Sequence, residues 1–230
     1  MEERASDLAL VRLLRLASPM LPVGAFSYSQ ALESAVELQW IHDEASARSW
    51  LVDVLKLSVG AFEAPVWCRL HRAFHASDVA TGADWNDRLL SSRETHELRA
   101  ETAQTGYSLR RLMEDSGEFD ECSITALQAM REVAFATAFA CACAAWGISE
   151  RAGLIAYLWT WFENQVGAAM KIIPLGQSAG QRMLAAMQPL LVETVERAMH
   201  AEDDELSNLA PGLAIASCLH EVQYSRLFRS

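Results

Sequence analysis

Ala152–Ile173 reads AGLIAYLWTWFENQVGAAMKII, a stretch that is apolar over most of its length. A run this long can cross a bilayer. Glu163, Asn164 and Gln165 stand at its middle, however, and a carboxylate with two amides is costly to place in lipid. The stretch is therefore expected to be a helix buried inside protein. That expectation decides the fold class, because a long buried helix needs other helices packed around it. A second apolar run, VAFATAFACACAAWG (Val133–Gly147), is too short to span and is expected to be buried in the same way.

Helical periodicity continues on both sides, and strand-like alternation is nearly absent. In Asp7–Ala17, Leu8, Val11 and Leu14 or Arg15 recur at helical spacing, with Asp7 as the cap. Pro19 and Pro22 in SPMLPVG break that helix, and AFSYSQALESAVELQ (Ala25–Gln39) is expected to resume it. Further helices are expected over Asp43–Phe62, Pro65–Asp78 and Ala83–Asp115, the last with a kink or break near Gly106. Others are expected from the cap Ser123 to Trp146, over Glu150–Ile172, and over Gln177–His200 with a bend at Pro189. HAEDDELSNLAPG (His200–Gly212) reads as a linker before the closing segment Leu213–Ser230. No internal repeat and no long heptad run is present. The expected fold is one all-α domain over residues 1–230 with roughly eight to ten helices.

The chain of 230 residues is 51% hydrophobic, enough for a real core, and carries a net charge of −11. That charge argues against nucleic acid or an anionic membrane as the main partner. Lys56 and Lys171 are the only lysines; a cation set made almost wholly of arginine suits fixed contacts with other proteins. Five irregularly spaced cysteines and an N-terminus without an apolar leader point to the reducing cytoplasm.

Catalytic motifs are missing. PLGQSAGQ (Pro174–Gln181) lacks the lysine and the preceding strand of a phosphate loop, so it reads as a tight joint between two helices. Cys68, His71 and His75 fall on one side of a helix, but no fourth ligand is near them, and packing is the favoured reading. Glu94, Glu97 and Glu101 share a helical side that reads as a solvated, salt-bridged face. HEVQYSRLFRS (His220–Ser230) places His220, Tyr224 and Phe228 at i, i+4, i+8, with Arg226 and Arg229 between them. Aromatic and arginine side chains are common binding anchors, so this segment is expected to dock a partner.

Three stretches together resemble the UreF family of urease accessory proteins. They are SPMLPVGAFSYSQALESAVE (Ser18–Glu37), AAMKIIPLGQSAGQRML (Ala168–Leu184) and HEVQYSRLFRS; SRETHELRAET (Ser92–Thr102) is also similar. Ala31 stands where the family usually has glycine, and Glu63 where it commonly has aspartate. A helical site at residue 31 would suit alanine. The resemblance implies an all-α, non-catalytic, cofactor-free chaperone that dimerises in the cytoplasm. It also implies binding of a UreD (UreH)-type protein, recruitment of a UreG-type GTPase, and nickel delivery to the urease apoprotein with GTP hydrolysis.

The partner-binding residues it points to are His220, Glu221, Gln223, Tyr224, Ser225, Arg226, Leu227, Phe228, Arg229 and Ser230, in a tail at about 219–230. Motif positions carried over are Ser18, Pro19, Pro22, Gly24, Phe26, Ser27, Glu33, Lys171, Pro174, Gly176, Gln177, Gly180 and Gln181. Lys171, Gln177, Ser178 and Gln181 are further expected to form an interior polar turn, lining a nickel passage or acting on the GTPase. Two alternatives stand beside the scaffold: a direct regulator of the GTPase using Arg182, Arg226 or Arg229, and a nickel carrier using Cys68, His71 and His75.

Overall fold

Several helices of this chain begin where a short polar side chain takes up a free backbone N–H. Asp43, Asp78, Thr95, Asp120 and Ser149 each accept from the amide three residues on. The computed structural model describes residues 2–230, and among them no strand occurs. The helices are α1 (Glu2–Leu16), α2 (Leu32–Glu37), α3 (Glu44–Val54), α4 (Ala64–His75), α5 (Val79–Ser91), α6 (His96–Ser116), α7 (Glu121–Gln128), α8 (Phe135–Ala145), α9 (Glu150–Ile172), α10 (Gln177–His200) and α11 (Pro211–His220). A π-helix, Leu55–Glu63, joins α3 to α4 in one uninterrupted rod, so the described residues pack as ten rods.

α4, α6, α8 and α9 enclose the centre. α8 is made largely of alanine and cysteine, which lets α4 and α6 approach it from both sides. Trp67, Phe139 and Phe162, from α4, α8 and α9, are fully buried there. The apolar run Ala152–Ile173 is thus a core helix, and among the described residues no helix is long and apolar enough to cross a membrane. Gln165 is buried inside it. One buried apolar cluster reaches from Leu16 to Ala216, so a single core serves the chain.

Several local expectations change. α6 runs through Gly106 without a break; the interruption lies at residues 92–95. Gly106 is instead the place where the backbone of residues 133–135 crosses α6, with no room for a side chain. Asp120, not Ser123, caps α7, and residues 129–134 separate α7 from α8. Pro189, by contrast, lies inside a continuous α10, where the sequence placed it. Asp7 lies inside α1 and is no cap. Leu8, Val11 and Leu14 of α1 are more than half exposed, while Leu16 packs inward.

The segment Ala25–Gln39 is not one continuous α-helix. It forms a short 3-10 turn, Ala25–Ser27, and then the six-residue α2. Between them Gln30 and Ala31 have φ of 51° and 64°. The reading of Ala31 as a favourable helical alanine is therefore corrected. Its left-handed backbone is the conformation glycine adopts without a Cβ penalty. Ala31→Gly is expected to raise stability by about 0.5–1 kcal/mol, the left-handed strain relieved less the entropy glycine loses. Urea unfolding measures this, and a loss would mean that the buried methyl outweighs the strain.

Candidate partner-docking site

After α11 the chain turns back across α2 and α6. His220 is completely buried, with Nδ1 2.6 Å from Glu97 Oε2 and Nε2 3.5 Å from Glu33 Oε2. Arg226 pairs with the other oxygen of Glu97 and donates to the Glu221 carbonyl at 2.7 Å. Glu33, in the first turn of α2, accepts from the amides of Leu227 at 2.7 Å and Phe228 at 2.9 Å. The Arg229 amide donates to the Ser27 carbonyl at 2.9 Å. Ser230 Oγ donates to Glu101 at 2.6 Å, and the Ser230 carbonyl accepts from the Ser29 amide and hydroxyl.

Two expectations are overturned here. Past His220 the closing segment is not helical, so the i, i+4, i+8 spacing of His220, Tyr224 and Phe228 does not place them on one face. His220, Phe228 and Ser230 point inward, and Tyr224 is fully exposed. Glu97 and Glu101 are likewise no solvated face. Glu97 holds His220 and Arg226, and Glu101 is buried against Ser230 and Gln30. Only Glu94 keeps to the surface, accepting from Asn208 at 3.0 Å. The anchored half of the tail leaves Val222, Tyr224, Ser225 and Leu227 facing solvent. Carboxylates from the body hold backbone amides and polar side chains of the tail, while Val222, Tyr224 and Leu227 are displayed outward.

Glu101 leads inward to a small polar centre that the sequence motifs did not reveal. Glu63, the last residue of the π-helix, accepts from the Tyr157 hydroxyl and pairs with Arg93. Gln30 donates to Glu101 at 2.8 Å and accepts from Trp161 Nε1 at 2.8 Å. These groups, with Thr102, Thr105 and Asn164, surround a cavity of about 60 Å3. Burial pushes the Glu101 carboxyl up, against the lowering effect of the Ser230 and Gln30 bonds and of Arg93. Burial also pushes the Tyr157 phenol well up, reinforced by the Glu63 charge. For Arg93, burial acts to lower and the Glu63 charge to raise, and the net direction is upward. The signal for this centre was Glu63 itself, a carboxylate on an apolar segment.

The remaining motif residues form a surface around the tail. Pro19 and Phe26 are exposed, Ser18 accepts from the Met20 amide at 3.2 Å, and Gly24 has φ of 77°. A groove between residues 18–26 and α9 is lined by Ser18, Pro19, Phe26, Glu163 and Lys171. The Lys171 ammonium lies 6.0 Å from the Phe26 ring and 5.6 Å from the Phe228 ring, bridging loop and tail. Pro174 and Gly176 form the exposed joint between α9 and α10. Gln177, Ser178 and Gln181 are exposed, which corrects the expectation of an interior polar turn. Gly180 has a packing role, since a Cβ there would stand 2.3 Å from Met170 Sδ.

Cys68, His71 and His75 do not converge. Cys68 is buried and its thiol is pushed up to about 12 by that burial, with Glu150 adding to it. His71 bonds the Ile148 carbonyl at 2.9 Å, and His75 is exposed. Among the described residues no group of three or more His, Cys, Asp or Glu could hold a metal ion.

Sequence similarity to known proteins identifies a family. The family model described as UreF matches residues 41–188. The urease accessory protein UreF of Azoarcus sp. (strain BH72) is 52% identical over 225 residues, spanning 97% of this chain and 96% of its own. That of Methylobacillus flagellatus is 48% identical over 222 residues, spanning 96% and 98%. A Bordetella bronchiseptica protein named bifunctional urease accessory protein UreEF is 46% identical over 224 residues, which make up 52% of its length.

Proposed function

Because the chain belongs to the UreF family of urease accessory proteins, we propose that it is a cytoplasmic, non-catalytic scaffold for urease metallocentre assembly. Its tail engages a UreD (UreH)-type protein, and the pair recruits a UreG-type GTPase. The assembled complex meets the urease apoprotein, where GTP hydrolysis drives nickel insertion. The observation that carries the reading is the tail: Glu33 holds its backbone and Glu97 and Glu101 hold its His220, Arg226 and Ser230 side chains, yet Tyr224 and Leu227 are turned to solvent. A pre-ordered segment loses little entropy on docking, and that favours affinity.

In this reading the chain forms a homodimer through α1, a choice supported by Leu8, Val11 and Leu14, which are exposed beside Leu10. Two such faces brought together would bury each other. Changing Leu8 and Val11 to serine is expected to give monomer by light scattering, and an unchanged mass would exclude α1.

The test of the whole reading is co-expression with UreD- and UreG-type proteins, followed by size exclusion with light scattering. A complex with two copies of each component is expected. Tyr224→Ala combined with Leu227→Ser is expected to lose the UreD-type protein by at least about a hundredfold in affinity. Thermal stability should stay within about 1 kcal/mol, because both side chains are exposed. Full retention of the complex by this variant would remove the tail as the anchor.

A further inference from the structure

A second group of exposed apolar side chains lies away from the tail's tip. Trp40 and Trp50 meet with ring centroids 6.1 Å apart. Gly212, at the start of α11, lies against Trp50, where an added methyl would be 3.6 Å from the ring. From Gly212 the outward side of α11 continues through exposed Ile215 and Leu219, three and seven residues on. Beyond Trp50 come Leu57 and Leu209, both exposed and tied by the Leu209 amide donating to the Leu57 carbonyl at 3.2 Å. Leu38, which follows α2, is exposed, and α2 packs on α11. These side chains follow one another along the link from α2 to α3, α3, the π-helix, the connection before α11 and α11 itself, and exposed apolar groups gathered in this way mark an interaction surface on a protein.

Charge distinguishes among possible occupants. Glu37 adjoins Leu38, Asp43 follows Trp40 by three residues, and Asp53 is one turn on from Trp50. Asp204 and Glu205 stand in the connection that leads to Leu209. All five are exposed, and the cations on the same segments are Arg48 and Lys56. Glu44 is already paired with Arg182. A second copy of the chain would bring this acidic rim against itself, which is unfavourable.

We propose that the stripe from Leu57 and Leu209 through Trp50, Trp40, Ile215 and Leu219 docks a protein partner with a flat apolar face flanked by arginine or lysine. This rests on the assembly reading above and assigns the stripe to the same UreD-type component that takes the tail. The tail leaves α11 at the Leu219 end of the stripe, so one partner can cover both surfaces.

Binding of immobilised UreD-type protein by the purified full chain tests this, at about 50 and 300 mM salt to vary the Debye length. Trp40→Ala with Ile215→Ser is expected to raise Kd at least about tenfold. Asp53→Lys is expected to raise Kd at low salt and to flatten its salt dependence. Circular dichroism should be unchanged, since all three side chains are exposed. Wild-type binding that fails with the tail variant but survives both stripe variants would overturn the stripe and leave the tail standing. No binding by the wild type would overturn both. A fall in self-association by the stripe variants, with partner binding intact, would assign the surface to a second copy and overturn the proposal.

Discussion

Replacing Glu63 with alanine is expected to cost about 3–5 kcal/mol of folding free energy, the range for removing one partner of a buried ion pair. Arg93 would keep its charge in an enclosed site, and the Tyr157 hydroxyl would lose its acceptor. For a chain of this size that corresponds to a fall in Tm of about 10 °C. Coulomb attraction is not the main source of the loss; the stranded guanidinium is. Removing both charges, with Glu63→Gln and Arg93→Met, should therefore be milder than Glu63→Gln alone, and a double-mutant cycle in urea measures that coupling. Glu63→Asp keeps the charge and is expected to cost only about 1 kcal/mol, as a conservative change that the centre accommodates by a small shift. Stability of Glu63→Ala within 1 kcal/mol of the parent would show that water replaces the carboxylate without loss.

Gly106→Ala should destabilise the protein by about 3 kcal/mol or more, at the severe end of overpacking because the neighbours are backbone atoms. An added Cβ would stand 1.9 Å from the Val133 carbonyl oxygen and 2.6 Å from the Ala134 carbonyl carbon. Helix propensity by itself predicts the opposite sign, a gain of about 1 kcal/mol for alanine within a helix. The sign of the measured change in chemical denaturation thus decides between local preference and packing. A stabilised variant would mean that residues 133–135 can move off α6 at little cost.

How far the sequence foretold this molecule depends on the range of the interaction concerned. The α9 segment was legible because its length, its apolar sides and its polar middle are all local. Pro174 marked the end of α9 for the same reason. Gly106 was misread because a glycine that permits a close crossing looks, in one dimension, like a glycine that breaks a helix. Glu97 and Glu101 were misread as solvated because charged residues at helical spacing usually are. What buries them comes from more than a hundred residues away, in Arg226 and Ser230. The UreF resemblance marked the tail and the Ser18–Glu37 stretch as important. It did not show that Glu33, in the second stretch, fastens the first. Ala31 misled for a subtler reason, since helix propensity says nothing about a residue that lies just before a helix with positive φ.

The π-helix between α3 and α4 has a bearing on which lengths this chain can take. Each residue of an α-helix turns the chain by roughly 100°. A π-helix closes i→i+5 rings and turns the chain less per residue, so the nine residues Leu55–Glu63 advance it by about as much as eight would in an ordinary α-helix. Rewinding the stretch as α-helix at its present length would therefore rotate α4 against α3, swinging Trp67 and Leu70 from the centre and Glu63 from Arg93. Loss of one residue, with the remainder rewound, would keep the two helices close to their present register. A variant one residue shorter here is expected to fold, and its cost falls on the Ser207 and Leu209 amides, which bond the carbonyls of Ala61 and Leu57 within the stretch.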